Sequence, residues 1–165
     1  MNNLLVWCVK KWLHLSPDLV SSELYDETTF YQQFRDDLRH CNKEVIIESP
    51  FISTHRMYSL IQPFQGLVNR KVKVYVITRD PSDHDLGMKQ QAEEAIRTFE
   101  AMGVQVLITN DYSHRKLAIL DRTVLWEGSL NILSQNMSRE LMRRIDSKNH
   151  AQECFRFINL GKFIY

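Results

Sequence analysis

Lys71-Val72-Lys73-Val74-Tyr75-Val76-Ile77-Thr78 is the stretch on which the fold turns. Basic or aromatic side chains alternate there with β-branched ones, the period of a strand whose two faces meet different surroundings. Upstream, Glu44 to Glu48 (EVIIE) is a shorter β-branched run that stops at Ser49-Pro50, as a buried strand does at a proline. Between the two strands, Thr54 to Val68 reads as a helix, with Pro63 expected to kink or divide it because proline lacks the donor N–H. Downstream, Asp80-Pro81-Ser82-Asp83 is a turn. Gln90 to Met102 then sets Ala92, Ala95, Ile96, Phe99 and Met102 on one helical stripe, stopped by Gly103, before a third strand from Val104 to Thr109. Ahead of all these, Asp26 or Thr28 is placed to cap a helix carrying Phe30, Phe34 and Leu38 on one face as far as Cys41-Asn42.

The second half departs from strict alternation. Leu117 to Leu120 and Val124 to Trp126 form a hairpin about Asp121-Arg122-Thr123. Leu130 to Ile145 reads as a helix with Leu133, Met137, Leu141 and Arg144 along one face, and Cys154 to Ile158 as a last short strand. The expected fold class is α/β, an α/β/α sandwich on a mixed β-sheet with helices on both faces. One domain is expected over 25–165. Residues 1–24 are read as an N-terminal extension, either a short helix or the remnant of an upstream domain.

Composition bounds the function. With 165 residues, 44% hydrophobic and 25% charged, the chain resembles an ordinary globular domain. No apolar run reaches the roughly 20 residues of a membrane span, and Lys10 and Lys11 interrupt the stretch from Leu4 to Leu15. A cytoplasmic protein that does not enter the membrane is expected. Cys8, Cys41 and Cys154 are widely spaced and odd in number, which points to free thiols in a reducing compartment rather than to a metal site. His14, His40, His55, His84 and His150 share no ligand spacing, and Asp83-His84-Asp85 reads as a polar loop. A net charge of +1 does not announce a nucleic-acid binder, so any anion site is local. The tryptophans Trp7, Trp12 and Trp126 read as core or interface residues before base-stacking platforms.

The chemistry lies between His114 and Glu140. His114 and Lys116, two residues apart at the mouth of a strand, point to one side about 6–7 Å apart along the backbone. The hairpin returns Gly128-Ser129-Leu130-Asn131 to that end, where it is expected to open a helix whose free N–H groups favour a phosphate. Ser129 and Asn131 add neutral donors. A lone His-x-Lys is ordinary surface sequence, and only the convergence of the two segments makes an anion site.

His114, Lys116 and Asp121, followed after six residues by Gly128, Ser129 and Asn131, match HxKxxxxD…GSxN at every position. This pattern resembles the HKD motif of the phospholipase D superfamily, and the likeness extends to Ser49-Pro50-Phe51 after the entry strand and to an acid after GSxN, here Glu140. The resemblance implies a phosphodiesterase. Chains with a single motif complete the site as a homodimer about a twofold axis, and the interface is then self-complementary. It implies that neutral His114 of one subunit attacks phosphorus while protonated His114 of the other protonates the leaving oxygen. Lys116 and Asn131 hold the nonbridging oxygens, Gly128 and Ser129 line the substrate, and Glu140 accepts from the other ring nitrogen of His114. An ion pair of Glu140 with Arg143 or Arg144 is the rival reading. Asp121, at a turn, is given a structural role, satisfying backbone N–H groups or a nearby cation. Glu48 and Ser49 stand at the strand end where α/β ligands bind, or serve the backbone alone. No metal or cofactor is required. Three functions compete: an endonuclease acting on DNA before RNA, a phospholipid hydrolase, and a non-catalytic DNA-binding module of a helicase or restriction system. A helicase-like partner or fused domain fits the first and third.

Overall fold

The computed structural model describes residues 17–134 and 137–162. Seven strands form one sheet: β1 (Ser21–Asp26), β2 (Glu44–Glu48), β3 (Lys73–Arg79), β4 (Gln105–Thr109), β5 (Leu117–Leu120), β6 (Val124–Gly128) and β7 (Leu141–Asp146), in spatial order β1-β7-β6-β5-β2-β3-β4. β2, β3 and β4 are parallel, and the other pairings are antiparallel. Four helices are α1 (Phe30–His40), α2 (Thr54–Asn69), α3 (Leu86–Met102) and α4 (Lys148–Phe157). This is the expected α/β sandwich on a mixed sheet.

Alternation along the strands sorts the core into two layers. Val45, Ile47, Val74, Val76, Ala118 and Trp126 join residues of α1, α2 and α3 on one face. Ile46, Tyr75, Ile77, Leu117, Ile119 and Leu125 join Ala151 and Cys154 of α4 and Ile158 just after it on the other. Because β2, β3 and β4 are laid down in one direction, right-handed crossovers put α2 and α3 on the same side. Trp126 is core: its ring lies 5.0 Å from those of Tyr25 and Phe30, and its Nε1 donates to Asp37, which also pairs with Arg144 at 2.8 Å. Cys41 is buried and Cys154 half-buried, both as free thiols, and burial pushes them up to about 12 and about 11 respectively. No helix among the described residues is long and apolar enough to cross a membrane.

Several expectations are corrected. Leu130 to Ile145 is not a helix. Among the described residues before Leu141, 130–134 and 137–140 form no helix, and β7 begins at Leu141. Met137, placed on the supposed apolar stripe, is 89% exposed. The segment finds its hydrogen bonds in β6 and β1, partners remote in sequence that outweigh a local pattern. Cys154 to Ile158 is not a strand. Its first four residues close α4, which Ser147 caps by accepting from His150 N at 3.3 Å, and Ala151, Cys154 and Ile158 follow helical spacing onto the core. Residues 21–24, read as part of an extension, belong to β1 at the sheet edge, while 1–16, with Trp7, Trp12 and Cys8, lie outside the described residues. Pro63 does not divide α2, which runs through it.

Candidate active site

Lys116 enters the site from just ahead of β5, facing the same layer as Ala118, and only 8% of it is exposed. Its Nζ lies 2.6 Å from His114 Nδ1 and donates to His114 O at 2.7 Å. Burial draws the ammonium below the usual lysine range, and the charge of Glu140 opposes that shift. His114 itself is exposed, with its ring 6.1 Å from Phe51 and nearly perpendicular to it. An exposed imidazole thus rests on a buried ammonium.

The segments flanking His114 are held from β2. Glu48, 2% exposed, accepts from Ser113 Oγ at 2.5 Å and from Arg115 Nε at 3.0 Å, and pairs with Arg115 Nη2 at 2.9 Å. Its carboxylate grips the residues on both sides of His114 and touches neither the His114 ring nor Lys116 by hydrogen bond. Ser49 is buried: its Oγ donates to Phe51 O at 3.1 Å and accepts from Leu133 N at 3.2 Å. Tyr31 OH donates to Ile132 O at 2.9 Å, and Ser53 N to Leu133 O at 2.9 Å. The segment after β2 therefore fastens the returning loop at two points and Tyr31 of α1 at a third, with Leu130, Ile132 and Leu133 buried.

Gly128 lies beside Lys116, donating its N–H to Lys116 O at 3.2 Å. A Cβ there would stand 2.1 Å from Leu141 O and 2.9 Å from Met142 Cα, so only glycine lets β7 approach. Ser129 and Asn131 follow, but they open no helix, and the helix-terminus contribution expected from the sequence falls away. Ser129 Oγ accepts from Leu141 N at 3.1 Å and donates to Glu140 in a short contact, and Ser138 Oγ donates to the same carboxylate at 2.8 Å. Glu140 stands on the loop before β7, not on a helix. Its carboxylate is taken by the two serines rather than by His114, and the rival ion pair is absent too: Arg143 donates to Ser22 and Arg144 pairs with Asp37. Asn131 Oδ1 is buried without a hydrogen-bond partner among the described residues.

Asp121 is remote from this group, at the far end of β5. Its carboxylate accepts from Asn42 N at 2.8 Å, Lys43 N at 2.8 Å and Glu44 N at 3.0 Å, tying the start of β2 to the hairpin turn. The structure thus brings His114, Lys116, Gly128, Ser129 and Glu140 to one end of the sheet and puts Asp121 at the other. Sequence reasoning missed Ser113 and Arg115 as partners of Glu48, and also Arg79 and Tyr112, whose guanidinium carbon lies 5.1 Å from the tyrosine ring centroid. Only the adjacency of Ser113 and Arg115 to His114 signalled them.

A largely apolar hollow of about 500 Å³ lies against Lys116 and Gly128 on the α4 side, lined by Leu24, Leu117, Leu141 and Phe157 together with the charged Arg115, Glu127 and Arg143. Phe157 is 86% exposed at its rim.

Comparison with known proteins follows the same lines. The family model described as "Cardiolipin synthase, PLD-like domain" matches residues 34–159. No curated protein sequence matches the chain. Among solved structures, Nuc from Salmonella typhimurium, a phospholipase D family member, is 13% identical with a TM-score of 0.67, and 83% of this chain covers 90% of it. NucT from Helicobacter pylori is 16% identical with a TM-score of 0.60, with 83% and 92% covered. Phosphatidylserine synthase from Haemophilus influenzae is 15% identical with a TM-score of 0.68, and this chain spans 39% of it. At these identities the likeness establishes the fold. With the family model spanning most of the domain and the sheet built as in these structures, the chain belongs to the PLD-like domain family of the phospholipase D superfamily.

Proposed function

We propose that this chain is a metal-independent phosphodiesterase that works as a homodimer and cuts DNA through a covalent phosphohistidine. The observation that carries the reading is the pairing of exposed His114 with buried Lys116. Among the described residues, the hydrogen bonds of the ammonium all go to His114, and no carboxylate neutralises it by direct contact. A buried charge without a counter-ion is costly, and a phosphate anion removes that cost. When a diester enters, Lys116 exchanges the imidazole for a nonbridging oxygen, freeing the ring nitrogen for attack.

The first step forms a bond from the neutral imidazole of His114 to phosphorus and breaks the phosphorus–oxygen bond to the leaving group. The leaving oxygen takes its proton from His114 of the partner subunit. In the second step that same histidine, now neutral, removes a proton from water as the water attacks, and the phosphorus–nitrogen bond breaks. One histidine cannot be base and acid in the same step, so the second copy belongs to the chemistry. Lys116 and Asn131 hold the oxygens on which charge develops, and Ser129 holds Glu140 beside the ammonium. The overlap with Nuc and NucT over about nine-tenths of their lengths supports the compact nuclease-like reading over a lipid enzyme.

One observation favours a second reading. The apolar hollow beside Lys116 has the position and lining that an acyl chain would use, which suits a phospholipid substrate. Plasmid, single-stranded DNA and phospholipid vesicles incubated in EDTA with wild type and His114→Ala separate the two. Cleavage of DNA that persists in EDTA and disappears with His114→Ala is expected. A requirement for magnesium, cleavage that survives the substitution, or a monomer in analytical ultracentrifugation under assay conditions would sink the mechanism. Headgroup release from vesicles without DNA cleavage promotes the second reading.

A further inference from the structure

Beyond His114, away from the apolar hollow, lies a group of side chains that the phosphoryl chemistry does not use. Phe51 stands with its ring 6.1 Å from that of His114, and His84 packs on Phe51 at 4.9 Å with the planes tilted by 39°. The guanidinium carbon of Arg79 is 5.9 Å from the Phe51 centroid and 5.1 Å from that of Tyr112. Asp83 fixes the guanidinium through a 3.2 Å contact. Tyr112 is 71% exposed although one side of its ring meets Arg79, so the other side faces solvent. Its φ of +52° is an uncommon conformation for a bulky residue, just ahead of His114 in the chain.

We propose that Tyr112, backed by Arg79, stacks an unpaired nucleobase next to the phosphate attacked by His114, so that the preferred substrate is single-stranded nucleic acid. The inference rests on the nuclease reading above and names the substrate form for the same site. Only Ser113 separates Tyr112 from His114, at most about 7 Å of backbone between their Cα atoms, which is within one nucleotide of the reacting phosphate. An aromatic face beside a guanidinium suits a base, whose π-surface stacks on rings irrespective of sequence. In a duplex both faces of each base are already covered by its neighbours, and a base reaches the tyrosine only after leaving the stack. The near-neutral net charge of +1 agrees, since a weakly basic protein gains little from phosphates alone and needs a non-ionic contact to hold its strand.

The test compares wild type, Tyr112→Ala and Tyr112→Trp on three substrates: a single-stranded oligonucleotide, the same strand with abasic residues across the cleaved stretch, and the corresponding duplex. The expected result is that wild type cleaves the single strand with a kcat/KM about tenfold or more above the duplex. Tyr112→Ala raises KM for the single strand about tenfold, leaves kcat at saturation unchanged, and leaves the abasic strand unaffected, while Tyr112→Trp restores KM. Equal loss on the normal and abasic strands, an unchanged KM, or a duplex cleaved as well as the single strand overturns the proposal and leaves the nuclease reading standing. If wild type cleaves no nucleic acid and releases lipid headgroups instead, the nuclease reading fails with it, and that outcome appears before any substitution at Tyr112.

Discussion

The two ends of strand β5 carry the same sequence motif and do opposite work. At one end His114 is exposed over buried Lys116, whose ammonium meets the His114 imidazole and donates to the His114 carbonyl, with no carboxylate in direct contact among the described residues. At the other end Asp121 accepts from three backbone N–H groups within 3.0 Å, and the turn it begins has φ of +50° and +57° at Asp121 and Arg122. Thr123 N closes that turn on Leu120 O at 2.9 Å, the geometry that a right-handed twisted hairpin favours, and Asp tolerates the left-handed conformation better than most residues. Four residues of β5 separate the ends, roughly 13–17 Å. The motif is therefore not one cluster. The histidine and lysine belong to the candidate site, while the aspartate ties the start of β2 to the turn after β5 at the opposite end. Polar groups that satisfy one another make architecture, and polar groups left with capacity make function.

The sharpest way to break the comparison is His114→Ala. Activity is expected to fall by at least about 10⁴-fold, as when a nucleophile is removed, with a melting temperature that does not move because the side chain is exposed. Equal losses of activity and stability would erase the contrast between the two ends. Asp121→Asn should show the reverse pattern. It keeps the turn conformation but loses the charge and turns one acceptor into a donor facing N–H groups, so stability falls by about 2 kcal/mol, roughly 4–8 °C in melting temperature, while kcat of the folded protein is retained. Thermal melts paired with single-turnover rates check it, and a lost kcat in a stably folded protein would put Asp121 in the chemistry.

The smallest effect is expected from Glu140→Gln. In the proposed mechanism Lys116 must carry its proton to hold phosphate, so substrate binding is expected to be complete below the lysine's pKa and to weaken as pH rises through it. Burial already lowers that value, and the Glu140 carboxylate raises it. Neutralising Glu140 moves the alkaline limb of the KM profile to lower pH, with no more than about a fivefold change at neutral pH. A limb that stays in place, or moves to higher pH, would mean that Glu140 does not act on Lys116.

Legibility in the sequence followed the range of the interactions. EVIIE was read as a strand with its observed ends, and the helix after Thr54 and the stop at Gly103 were read correctly, because propensity, capping and turn chemistry act over a few residues. The stretch 130–145 was misread because Leu133, Met137, Leu141 and Arg144 imitate a helical stripe. Its true partners are β6 and β1, and Leu24 pairs with Arg143 across more than a hundred residues. The same holds in the site. Glu48 seemed as much a backbone feature as a functional one until β2 and the segment ahead of β5 came together and gave it Ser113 and Arg115.

By itself the sequence determined the parallel half of the sheet, the β5–β6 hairpin, the likeness to the phospholipase D superfamily, and the set of residues near which phosphate chemistry is to be sought. Tertiary structure alone decided that Lys116 is buried while His114 is not, that Glu140 is bound by Ser129 and Ser138, that no helix begins at Gly128, and that Tyr112 meets Arg79. The physical reason is common to all four. Desolvation, charge and stacking depend on which segments meet across the sheet, and a chain reveals such meetings only when it has folded.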